Sequence, residues 1–336
     1  MNRRELLMQI IGVGGIALTT PLTGACQKAS PRNVRHTKTQ IAFVKTNDRI
    51  GGIATAIDLL KLPTFKKRDL IIKPNFNSAD ETPGSTHNDT LTAIVHKLRE
   101  LDSGQLTIGD RSGMGNTKDV FENKKIFAMA KEMNLKTIIF DDLNAADWEF
   151  VKFEGSNWKN GFYIPKIVRM TGGIIQTCCL KTHRYGGHFT LSLKNSVGLA
   201  AKRVRGNDYN FMTELHGSPH QRKMIAEINA AYHPDLIILD GIEAFTTGGP
   251  DSGRTVDSGV ILAGTDRIAI DAAGVAILRH FGTTDEVSKG KIFEQTQIAR
   301  AVELNLGVAS PNQIEFVTNN AESAKFAKEI QSILND

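Results

Sequence analysis

The sequence predicts an α/β fold: a mainly parallel sheet with helices on both faces and a small antiparallel insertion. Three observations predict it. Short β-branched apolar runs alternate with stretches of helical period along the 336 residues, the pattern of strand–helix units that lay down parallel strands. Composition is aliphatic-rich and aromatic-poor with 30 Gly, as in ordinary globular α/β chains. No internal repeat or low-complexity tract interrupts the alternation, which argues against a solenoid or a disordered scaffold.

The runs Gln40–Val44, Leu70–Lys73, Gln105–Gly109, Thr137–Asp141, Ile174–Leu180, Leu236–Leu239, Val260–Ala263 and Gln313–Val317 read as strands. Helical periodicity suits Gly51–Leu60, Leu91–Leu101, Lys118–Met133, Gln221–Ala231, Arg267–Arg279, Ile292–Leu304 and Ala321–Leu334. Glu149–Phe153 and Gly161–Val168 are the antiparallel insertion. Residues 40–336 then form a single large α/β domain, with a break between two sub-lobes expected near 145–170.

The N-terminus reads as an export signal over residues 1–26. Arg3-Arg4 make a positive start, Leu6 to Leu18 an apolar core, and Leu22-Thr23-Gly24-Ala25-Cys26 a small-residue end. Arg-Arg-Glu-Leu-Leu before a Gly-rich, weakly hydrophobic stretch resembles a twin-arginine signal. The run is short for a membrane-spanning helix. Cys26 is similar to the lipidated Cys of a bacterial lipoprotein, although Thr23 stands where such a sequence usually has Leu. The expected location is therefore the periplasm or, through Cys26, a lipid tether to the membrane, with the export machinery as a partner. Residues 27–39 read as a polar tether.

The charge balance excludes some partners. A formal net charge of +5 is too mild and too scattered for nucleic acid, which is met by a concentrated basic patch. Removing the signal takes away Arg3, Arg4 and Glu5 and leaves the chain near neutral. With three Cys, this chain alone cannot supply the four thiolates of a typical iron–sulfur cluster. Cys178 and Cys179, adjacent on one strand, point to opposite faces and are expected to form no disulfide. No Gly-x-Ser-x-Gly elbow, Walker loop or strand-linked Gly-x-Gly-x-x-Gly is present, which removes support for serine hydrolases and the usual nucleotide folds.

Polar residues gather where predicted strands end. Lys73-Pro74-Asn75 follows the second, Asp110-Arg111-Ser112-Gly113 the third, Lys181-Thr182-His183 the fifth, and Asp240-Gly241-Ile242-Glu243 the sixth. In open α/β sheets ligands bind beyond the carboxyl ends of strands, so these loops are expected to converge on one crevice. The stretch Lys-Pro-Asn, then Leu-Lys-Thr-His with Leu-Lys-Asn-x-x-Gly, then Asp-Gly-Ile-x-x-x-x-x-Gly-Gly-Pro, resembles the domain of unknown function 362 over about Leu70 to Gly282. The resemblance implies a fold and a site region without an assigned activity. Some relatives carry ferredoxin-like Cys clusters, which this chain lacks.

Within the crevice Lys73, Asn75, Arg111, Lys194 and Asn195 are expected to bind substrate or another anion. Lys181, His183 and Asp240 are the expected catalytic group: His183 as general acid or base near its ordinary pKa, with Asp240 or Asp110 orienting it or binding a metal. The alternative use of the same region is a divalent transition metal held by His183, His188, Asp240, Glu243 and Asp251, since His with carboxylates suits zinc, iron or manganese. For the Asp110–Thr117 loop the plainer reading is a helix cap from Asn116 or Thr117. The Lys202–Asp208 run reads as a solvated surface or a lid, with His216 and His220 just beyond it. Function is thus expected to be an enzyme acting on a small anionic organic molecule. A binding protein for such a ligand, without catalysis, and a redox accessory protein are the competing classes.

Overall fold

Alternating apolar and polar residues give each strand two faces, and here nearly every central strand is buried on both. The computed structural model describes residues 38–336; the expected export signal, Cys26 and the expected tether up to residue 37 lie outside them. The described residues hold eleven strands: β1 (Thr39–Lys45), β2 (Leu70–Lys73), β3 (Leu106–Asp110), β4 (Lys136–Ile139), β5 (Trp148–Val151), β6 (Phe162–Pro165), β7 (Gly173–His183), β8 (His188–Thr190), β9 (Leu236–Gly248), β10 (Gly253–Gly264) and β11 (Ile314–Val317).

The main sheet runs in the order β11-β1-β10-β9-β7-β2-β3-β4, with β8 paired to β7 off this path. Only β10 on that path runs against its neighbours β9 and β1, and every other adjacent pair is parallel. The sequence-based expectation of a mainly parallel sheet holds. Both faces are covered, as parallel sheets require. Ile41 and Phe43 of β1, Ile237 and Leu239 of β9, and Val260 and Leu262 of β10 pack with the helices Arg267–His280, Thr296–Glu303 and Ala321–Asn335. Their sequence neighbours Ala42, Val44, Leu236, Ile238, Ile261 and Ala263 pack on the other face with Arg49–Leu59 and Asn88–Glu100.

The insertion is real and separate. Strands β5 and β6 pair antiparallel as their own two-stranded sheet, inside the 145–170 window. Trp148, Phe162 and Ile164 bury there against Trp158, Phe211, Leu215 and Met224 in a third apolar cluster. The described residues form one compact unit. No helix among them is long and apolar enough to cross a membrane.

Element boundaries move where tertiary contacts override local period. The stretch 118–133 is two helices, Thr117–Asn123 and Ile126–Glu132, broken at Lys125 with φ 56°. Strand β7 extends through Lys181 and His183, so those residues are strand, not loop. The long β9–β10 hairpin carries Asp240-Gly241-Ile242-Glu243 inside its strand. The segment 188–199 is β8, the single turn Ser192–Asn195 and a 3₁₀ turn over Ser196–Leu199. Asp271 holds the start of that turn, accepting from Ser192 N at 2.7 Å and Leu193 N at 3.2 Å.

Candidate functional site

The chain lays β2, β3 and β4 outward in one direction, then places β7 on the opposite side of β2. That reversal leaves a crevice at the carboxyl ends of β2 and β7, the position where open α/β sheets bind ligands. An inner cleft of about 50 Å³ lies there, lined by Lys73, Asn75, Asp110, Arg111, Lys181, His183, Thr190, Lys194 and Asn195 among others. An outer cleft of about 550 Å³ shares Arg111, His183, Lys194 and Val197 with it and adds Met114, Tyr185, Met212 and His216.

Charge at the inner cleft divides into a neutralised half and an uncompensated half. Lys73 Nζ meets Asp110 Oδ1 at 2.5 Å, both side chains almost fully buried. It also donates to Pro74 O at 2.6 Å and Asn195 Oδ1 at 3.1 Å. Asp110 accepts in addition from Phe76 N at 3.0 Å and Arg111 N at 2.7 Å. Gly198 packs against this pair; a Cβ there would lie 2.6 Å from Asp110 Oδ1 and 2.7 Å from Lys73 Nζ. The Lys73 charge is thus consumed within the protein.

Three other cations form no ion pair among the described residues. Arg111 is 3% exposed and donates only to main-chain carbonyls and a thioether: Ala200 O at 2.9 Å, Val197 O at 2.5 Å, Ser112 O at 3.2 Å and Met212 Sδ at 3.3 Å. Lys181 is fully buried and donates to the carbonyls of Gly84 and Pro250. Lys194, half-buried, lines both clefts. Its alkyl chain lies against Gly187, where a Cβ would come 2.6 Å from Cε. Burial, reinforced by the neighbouring Lys181 and Arg111 charges, pushes the Lys194 ammonium down to about 7. Burial also lowers Lys181 and Arg111 from their ordinary values, against the partial pull of Asp80 and Asp251 on the first and of Asp141 and Asp110 on the second.

His183 is 6% exposed and its Nδ1 has no hydrogen-bond partner. Burial, with Lys194 and Lys181 beside it, holds the imidazole far below its ordinary range. It is therefore neutral across the physiological range and poorly suited to be the acid–base group expected from sequence. Two more buried polar atoms lining the inner cleft lack partners, Asn75 Oδ1 and Thr190 Oγ1. Asn195 is a positioning residue: its amide donates to Thr177 O at 2.9 Å while Oδ1 accepts from Lys73 and Asn75.

The structure brings together Lys73, Asn75, Arg111, Lys181, His183, Lys194 and Asn195. It does not bring Asp240, His188, Glu243 or Asp251 to either cleft. The Asp240 carboxylate is taken by Arg49 Nε at 2.8 Å and Thr90 Oγ1 at 2.7 Å, so it cannot orient His183. Glu243 lies 3.9 Å from the same Arg49, and Asp251 pairs with Arg184 at 2.9 Å. His188 sits across the hairpin from His183 with φ 60° and is half-buried. Among the described residues no group of three or more His, Cys, Asp or Glu is placed to hold a metal. Two of the carboxylates in the expected metal set, Asp240 and Asp251, are instead paired with arginines.

Other readings resolve locally. Asn116 caps its helix, accepting from Lys118 N and Asp119 N, while Arg111 from the same loop turns inward. Cys178 and Cys179 are buried free thiols; burial raises both, Cys179 to about 11, the opposite of nucleophilic activation. Sequence reading missed His216 and Thr190 as cleft residues. His216 Nδ1 lies 2.7 Å from Met212 O, four residues back on the same helix, and only that helix's docking aims it at the outer cleft.

Fold and site together define an α/β protein with a buried cationic crevice at the switch point of its sheet. A family model described as a domain of unknown function (DUF362) matches residues 70–276, and the chain belongs to that family. The thylakoid-associated protein sll1697 of Synechocystis sp. is 25% identical over 226 residues, covering 62% of this chain. The chain spans about 63% of that relative's length. The lactate racemase apoprotein from Thermoanaerobacterium thermosaccharolyticum aligns with TM-score 0.41 at 15% identity, over 61% of this chain and 50% of that one.

Proposed function

We propose that the chain is an enzyme that binds a small organic anion in the crevice over β2, β3 and β7, with Lys194 as its proton-transferring group. The observation that supports this most is the charge surplus. Arg111, Lys181 and Lys194 line one cleft and none forms an ion pair within the described residues. A buried charge without a counter-charge costs roughly several kcal/mol, and an incoming carboxylate or phosphate would offset that cost. Arg111 and Lys181 hold the anion, and the neutral His183 offers Nδ1 as a hydrogen-bonding group toward it. Lys194, at about 7, carries both protonation states near neutral pH, the condition a general acid or base needs. Electrostatic hold on an anion also lowers the cost of negative charge developing in a transition state. The signal-like residues 1–26 support action outside the cytoplasm.

The test exposes the full chain to a panel of organic acids, reading thermal shift and, by NMR, products. We expect at least one acid to raise Tm and be converted, since a ligand bound only by the native state stabilises it. Lys181→Met should remove the shift, and Lys194→Met should remove conversion even at saturating acid. Binding without conversion of any acid would overturn the enzymatic part and leave a binding protein. No shift with any anion overturns the whole reading.

A further inference from the structure

The two clefts differ in chemistry as well as size. The inner one, about 50 Å³, has room for a head group of a few atoms. Around it stand the three cations that lack an ion pair and the unpartnered Asn75 Oδ1, His183 Nδ1 and Thr190 Oγ1. The outer one, about 550 Å³, falls in the range usual for whole small-molecule ligands. Its wall carries Met114, Tyr185, Val197, Met212 and Pro250, with Lys202 and His216 also on it.

Exposure singles out the same place. Met114 is 43% and Tyr185 49% exposed, two of the five large apolar side chains that stand out in solvent among the described residues. Leaving such groups wet costs apolar burial, and Met side chains adapt to irregular partners. Arg111 and Lys194 face both clefts, so a ligand spanning them would have its charge at the junction and its body outside.

We infer that the ligand is an amphiphilic organic anion, its charged head in the inner cleft and an apolar chain or ring over Met114, Tyr185, Val197 and Met212. This rests on the anion reading above and adds the body the anion must carry. A purely polar metabolite would leave the outer wall uncovered. Head groups of either kind, carboxylate or phosphate, satisfy the same three cations.

Calorimetric titration of the full chain with unbranched carboxylates from acetate to octanoate, the matching alkyl phosphates and the matching alcohols tests it. Affinity should rise roughly fourfold per added methylene until the outer cleft is filled, and the alcohols should not bind. The series that binds more tightly at equal chain length identifies the head. Met114→Ser combined with Tyr185→Ser should flatten the chain-length dependence. Anion binding that does not change with chain length overturns the amphiphile inference while the anion reading stands. Binding that lengthens with the chain equally in alcohols overturns both. If no member of any series binds, the anion reading falls first.

Discussion

Two buried charge sites in this molecule show opposite designs. At Glu227, fully buried beneath the insertion, the carboxylate accepts from Ser156 Oγ, Asn157 N and Asn157 Nδ2 at 3.0, 2.8 and 2.6 Å, and from Arg300 at 2.9 and 3.0 Å. Every lone pair is committed. At the β2–β7 crevice, one ion pair is closed in the same manner by Lys73 and Asp110, yet the three cations beside it form no ion pair, Arg111 and Lys181 meeting only carbonyls and a thioether. The first arrangement staples the insertion to the main body. The second leaves three cations without an ion-pair partner among the described residues, and that is where our proposal seats an anion.

The sharpest break in that contrast is Glu227→Ala, which strands Arg300 and the Asn157 donors. Stability should fall by about 3–5 kcal/mol, read as a lower urea midpoint at unchanged slope. Next is Gly198→Ala, whose Cβ would collide with the Lys73–Asp110 pair. A loss of roughly 1–3 kcal/mol with weaker anion binding would show that the closed pair supports the open site.

The pH dependence of anion binding comes third. An anion favours the protonated Lys194, so affinity should fall as pH rises past about 7, by up to roughly tenfold per unit while that protonation limits binding. Calorimetry in buffers of different ionisation heat should show proton uptake on binding. Flat affinity from pH 6 to 9 would remove Lys194 from the site.

Lys194→Met is a smaller effect. The folded-state value lies below the ordinary 10.5, so between about 7 and 10.5 the unfolded chain holds more protons and stability rises with pH. The penalty is complete below about 7 and relieved above 10.5. Because the side chain is half-buried, solvent screens part of it, and Lys194→Met should be more stable by on the order of 1 kcal/mol at pH 6. That gain should shrink toward pH 10 in denaturant titrations.

The contrast also explains what could be read from sequence. Strand β2 is Leu70–Lys73 in both readings, and the helix Arg267–His280 differs by one residue, because strong apolar period fixes such elements locally. Lys181 and His183 were legible as strand-end residues, like Lys73, Asn75 and Arg111, although β7 in fact runs on through them. What could not be read was who pairs with whom. Asp240 looked available at a strand end, but Arg49 and Thr90, from two helices on the other layer, occupy it. The shift that leaves His183 neutral comes from burial and from Lys194 across the cleft, a fold-level sum rather than a motif. Lys194 itself was visible as a binder, and its lowered value follows only once the fold buries it beside Lys181 and Arg111.

The pairing of β1 with β11 sets how the molecule can be handled. Strand β1 runs in the same direction as β7 and β2, so the described chain enters at the sheet's amino end, away from the crevice. The final helix returns to that side, where Lys38 and Asn335 line one groove. Attachment to a surface through the carboxyl end of this fold therefore leaves the mouth clear, and the anion binding proposed above should be as strong in protein held that way as in solution.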